Sequence, residues 1–163
     1  MASINLIPKR GTLTVSIFDN PYLRIPPTLY FAIEIPVRPI RYEGRTWNTS
    51  AVLEFIDFGV DDWRELPGRK FAFPKNPGRG YIDASLYLGG AHHWADVSRI
   101  RFGALKGRTI LPASVAIEFD FAVEGLRDLG RVKVRWSVDL AIDPPTVDAI
   151  CEEARRIVEQ RWR

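Results

Sequence analysis

ASVAIEFDFAVEGLRDLGRVKVRWSVDLAI, residues 113–142, is the stretch whose reading decides the fold. Val115, Ile117, Phe119, Phe121 and Val123 alternate with Ala116, Glu118, Asp120 and Ala122. Val132, Val134, Trp136, Val138, Leu140 and Ile142 alternate with Lys133, Arg135, Ser137 and Asp139. Side chains of an extended chain point to opposite faces in turn, so this period of two predicts two long strands, each with one greasy face. Between them Glu124–Gly130 carries a glycine near each end and no period, as a hairpin loop does. The polar faces bear opposite charge, Glu118 and Asp120 against Lys133 and Arg135, which suits antiparallel cross-strand pairing.

Working outward, the same alternation recurs. Leu13, Val15 and Ile17 share a face before Asp19-Asn20-Pro21 stops the run. Leu29, Phe31, Ile33, Ile35 and Val37 share another, and the flanking prolines suggest an edge strand. Ala51, Leu53 and Phe55 oppose Val52, Glu54 and Ile56, while Arg41–Asn48 reads as a polar turn. Residues 59–69 read as a loop with one helical turn, 70–73 as a short strand and 74–80 as a turn. Ile82, Ala84, Leu86 and Leu88 alternate with polar partners, and Val97–Phe102 reads as a strand after a polar stretch. From Val147 the period becomes 3.6: Val147, Ile150, Cys151, Ala154, Ile157, Val158 and Trp162 form one stripe of a helix. Asp143 is placed to cap it and Pro144 to open it, with Asp148 near its positive end and Arg161 and Arg163 near its negative end.

The predicted fold is mainly β: a sandwich or curved antiparallel sheet of about seven to nine strands with one C-terminal amphipathic helix. A small barrel with an internal ligand pocket is the second choice. One domain over 1–163 is expected, with a lead-in at 1–10, a β-rich core at 12–142 and the helix at 144–162.

The 163 residues are 46% hydrophobic and 26% charged, the balance of an ordinary globular chain. A single cysteine, Cys151, excludes an intrachain disulfide and a cysteine-based zinc cluster. Its place on the apolar stripe makes it a packing residue rather than a nucleophile. The first ten residues lack the pattern of a secretory signal, and no apolar run approaches the ~20 residues that span a bilayer. A cytoplasmic protein with no membrane association is expected. The net charge is +3, but basic residues are dispersed among acids, which argues against a nucleic-acid partner.

Two stretches carry site chemistry. Gly89-Gly90-Ala91-His92-His93-Trp94-Ala95-Asp96 holds both histidines of the chain. His92 or His93 with Asp96, and with Asp83 from the preceding strand, could serve as general base or metal ligand. The spacing opposes chelation, because adjacent residues of an extended chain point apart. The competing reading is a turn whose histidines bond the backbone, and no metal or cofactor is predicted. Trp47, Trp63 and Trp94 sit in polar, loop-like surroundings, where an indole offers an apolar face and one donor to a sugar or a partner. The competing reading buries each under its own loop.

The leading functional expectation is a non-enzymatic cytoplasmic protein that recognises another protein, with the profile of a bacterial immunity-type or accessory protein. The alternatives are an acid/base or metal-dependent enzyme centred on His92–Asp96, and a carbohydrate or small-molecule binder using the three tryptophans.

Overall fold

The computed structural model describes residues 3–161, so Trp162, the end of the predicted helix, and Arg163 beside it lie outside the described residues. Among the described residues ten strands precede one α-helix. They are β1 Gly11–Asn20, β2 Ile25–Pro36, β3 Ile40–Tyr42, β4 Arg45–Trp47, β5 Ser50–Ile56, β6 Lys70–Ala72, β7 Asp83–Leu88, β8 Ala91–Phe102, β9 Ile110–Asp120 and β10 Arg131–Ala141, followed by α1 Pro144–Arg161. The chain is mainly β with a C-terminal helix, as its periodicities predict.

The long hairpin is β9 and β10, paired antiparallel from Ile110–Ala141 to Asp120–Arg131. The strand order β8-β7-β5-β2-β1-β10-β9 returns to β8, because β9 also pairs with β8. The curved sheet therefore closes into a circuit of seven strands, and β6 is added along β8. Every pair is antiparallel except β1–β10, which meet in parallel at Gly11–Leu140 and Thr12–Ala141. Inward faces fill the enclosed space with Phe31, Ile33, Leu53, Leu86, Ile100, Val115, Phe119 and Leu140, all buried. Small barrels are packed in this way by side chains from alternate positions.

Four local readings change. β2 is not an edge strand: it lies between β1 and β5, and Pro26 and Pro27 occupy its first residues. The polar segment 41–48 is a tight hairpin of β3 and β4, turned by Glu43 and Gly44 at φ 51° and 73°. A two-residue turn with positive φ at both positions matches the twist of the strands it joins. β9 ends at Asp120, so Val123 is exposed rather than inward. β8 begins at Ala91, so the histidine stretch is strand and not turn. Gly89 and Gly90, at φ 61° and 86°, make the whole reversal from β7.

The helix buries Val147, Cys151 and Ala154 and lies against β1 and β2. The Thr146 hydroxyl donates to the Asp143 carboxylate, and the Val147 N–H donates to the Asp143 carbonyl at 3.0 Å. At the far end Arg161 reaches Asp19 of β1 at 2.6 Å. A 3₁₀ turn at Trp63–Glu65, closed by a capping box between Asp62 and Glu65, holds the helix from the other side.

Candidate interaction surface

Strand pleating separates the two histidines. His93 points inward and is fully buried, with its ring 5.1 Å from Phe121. The carbonyl of Leu88 can only accept, so His93 Nε2 carries the proton it donates there at 2.8 Å. His93 Nδ1 is buried with no hydrogen-bond partner among the described residues. His92 points outward and meets Tyr87, its cross-strand partner, edge-on at 5.0 Å. Asp96 lies on the same outer face, four residues or about 13 Å further along the strand. Its carboxylate accepts the Asn76 N–H at 3.1 Å. Asp83 joins Asp96, Trp94 and Glu118 around a cleft of about 610 Å³ that neither histidine lines. The carboxylates thus come together without the histidines. Among the described residues there is no group of three or more His, Cys, Asp or Glu side chains placed to hold a metal ion.

The three tryptophans part company as well. Trp63 is buried; its indole N–H donates to Asp148 at 2.9 Å, and Arg64 lies 4.7 Å above the ring. Arg64 also donates through both guanidinium nitrogens to the Asp148 carboxylate. Hydrogen bonds from Arg64 and then Trp63 hold the Asp148 carboxyl down at about 2. Cys151, buried beside them, has its thiol pushed up by desolvation, which keeps it protonated and inert. Trp47 is half-buried, donates to the Tyr42 carbonyl at 3.4 Å and meets Tyr87 edge-on at 6.2 Å. Burial first, and then the bond to Asp128, push the Tyr42 phenol up to about 12. Trp94 stands outward on β8, 58% exposed.

Four other uncovered hydrophobic side chains lie around the β1–β2 hairpin and the end of β5. Phe18, Tyr22, Leu23 and Phe55 are 47%, 96%, 69% and 62% exposed. Tyr30 links two of them: its ring is edge-on to Phe18 at 6.4 Å and to Phe55 at 6.2 Å. The 3₁₀ turn Pro21–Leu23 carries Tyr22 and Leu23 on the tip of the β1–β2 hairpin. Asn20 caps it by accepting the Leu23 N–H at 3.2 Å, and Arg24 leaves it in the left-handed region at φ 53°.

Phe55 reaches this face through a bulge. Phe31 pairs with Ile56 and Ile33 with Leu53, so β5 holds one residue more than β2 between these pairs. Phe55 takes φ 54°, and the face alternation shifts: Ile56, not Phe55, follows Leu53 into the core. Period-two reading puts Phe55 inside. Its one warning is the adjacency of Phe55 and Ile56, which cannot both face inward on a regular strand.

No protein-family model, curated protein or solved structure matches this chain. Among the described residues no helix is long and apolar enough to cross a membrane.

Proposed function

We propose that this chain is a non-enzymatic cytoplasmic protein that recognises another protein through the aromatic tip of β1, β2 and β5. An immunity-type or accessory role in a bacterium is the particular form of this reading. The observation that carries it is the exposure of Phe18, Tyr22, Leu23 and Phe55 around the β1–β2 hairpin and the end of β5. At roughly 150–250 Å² per aromatic side chain, the three rings leave on the order of 400 Å² of apolar surface in water. A patch of a few hundred Å² on a monomer is commonly a contact site, and tyrosines are preferred anchors of protein interfaces. A standard interface takes about 800 Å² from each partner, so the tip supplies the anchors and its polar surroundings the rim. The ion pair between Asp19 and Arg161 braces the hairpin against α1, so the anchors are ordered before binding. The single buried cysteine suits a reducing compartment.

The test places a photo-crosslinking amino acid at Tyr22, with Glu152 on the solvent side of α1 as the control position. One defined adduct with a different protein is expected at Tyr22 and none at Glu152. With the purified pair, Tyr22→Ala combined with Phe55→Ser should weaken binding about 30-fold or more. His92→Ala should leave it unchanged. An adduct with a second copy of this chain, or an affinity indifferent to Tyr22 and Phe55, would overturn the reading.

A further inference from the structure

The outer face of β8, β9 and β10 carries charges in two different conditions. Toward the Asp120 end they are matched: Lys133 lies 3.4 Å from Glu118, and Arg131 lies 3.2 Å from Asp120. Toward the Pro112 end Lys106 lies 3.1 Å from Asp139. Between these pairs the register sets Arg99 beside Ala116 and Ala116 beside Arg135. The next row sets Arg101 beside Ser114 and Ser114 beside Ser137. Among the described residues, Arg99, Arg101 and Arg135 have no carboxylate within 4.0 Å. β6 adds a fourth cation, since Lys70 is the direct cross-strand partner of Arg101.

Like charges placed opposite each other in a sheet are destabilising, so folding alone gives no reason for this arrangement. The floor between the arginines is small, with Ser114, Ala116 and Ser137 where longer side chains would fill the space. A depression of about 260 Å³ results, walled by Arg99 and Arg101 on one side and Arg135 on the other. It runs into a second of about 450 Å³ that Arg101 and Lys106 border. The walls stand two strand spacings, or about 10 Å, apart.

We infer that this trough is a binding site for a phosphate group, as the free dianion or as a small phosphomonoester. Arg99 and Arg101 line one wall and Arg135 the other, each long enough to swing a guanidinium over the trough, and Ser114 and Ser137 supply hydroxyl donors from its floor. Donors arriving from three directions suit a tetrahedral oxyanion, whereas a planar carboxylate is satisfied by one guanidinium fork. A bound dianion also removes the repulsion among the arginines and Lys70. The site lies on β8–β10, apart from the aromatic tip, and does not depend on the protein-recognition reading.

The experiment is an NMR titration of the arginine Nε–Hε signals with inorganic phosphate, with sodium chloride holding ionic strength constant. Saturable shifts are expected at Arg99, Arg101 and Arg135. Arg99→Gln and Arg135→Gln should each raise the dissociation constant about tenfold or more, the usual cost of losing a charged hydrogen bond. Arg79→Gln, on the 74–82 connection, should not change it. A parallel titration with O-phosphoserine separates the two sources: tighter binding than inorganic phosphate assigns the site to an ester, and weaker binding to the free ion. Shifts that rise linearly without saturating, that chloride reproduces, or that survive the Arg99→Gln and Arg135→Gln changes would overturn the inference.

Discussion

Phe55 shares the left-handed region, at φ 54°, with Arg24 and Glu43, and of the three it alone lies inside a strand rather than at a turn. A non-glycine residue in the left-handed region costs roughly 1–2 kcal/mol, and an aromatic ring left in water recovers little of it. The compensation lies one residue on, where the bulge lets Ile56 enter the core fully buried. Phe55→Gly is therefore expected to stay within about 1 kcal/mol of the parent protein, or above it, in urea unfolding. Phe31→Ala, in the strand beside it, should lose about 3–5 kcal/mol. Equal losses would return Phe55 to the core. His93 is the opposite case. Its separation from His92 was legible, because adjacent residues on an extended chain face apart. Its burial was not, because a polar stretch after two glycines reads as a longer turn than the two residues that suffice here.

Elements with a strong internal period were readable from the chain: β10, β7, the 115–121 alternation of β9 and the Val147–Cys151–Ala154 part of the stripe of α1 stand where their periods put them, while Val123 does not. Short elements set by turn chemistry, such as β3–β4, were not, since three residues show no period. What the period of α1 does not reveal is how it is fastened. Asp148, placed by sequence near the positive helix end, is also the joint between the helix and the 3₁₀ turn that carries Trp63 and Arg64. Its carboxyl is held at about 2, below its ordinary value of 3.8. A carboxyl depressed on folding contributes stability that is complete above about pH 4 and is lost as pH falls toward 2. Asp148→Asn should lower Tm at pH 7 by about 2–4 °C, an effect kept small by the partial solvation of the pair. It should also reduce the fall in Tm between pH 4 and pH 2. Parallel pH profiles for the two proteins would show that the ionisation of Asp148 adds nothing to the joint.

At the scale of the whole molecule, strand order decides which surfaces exist. Arg99 and Arg101 are 34 or more positions from Arg135 in sequence and become neighbours only because β9 pairs on both sides. Dispersed basic residues therefore conceal a cationic trough that composition cannot show. The seam that completes the circuit is just as silent in sequence. Among the described residues β1 and β10 pair only at Gly11–Leu140 and Thr12–Ala141, and their parallel pairing joins strands far apart in the chain with no local signal. Gly11 explains how such a short seam can be close. A Cβ at this position would lie 2.5 Å from the Glu34 carbonyl oxygen and 2.9 Å from Leu140 Cδ2. The first contact is with backbone, which cannot rotate away as a side chain can. Gly11→Val should thus force β1 away from β2 and β10 together, at about 1–3 kcal/mol in urea unfolding. Hydrogen exchange locates the damage. Amides around Thr12 and Ala141 should lose protection, while those of β8 and β9 keep it. Uniform loss across all strands would instead mean that the seam opens only with the whole barrel, and that two residue pairs hold the circuit closed as one cooperative unit.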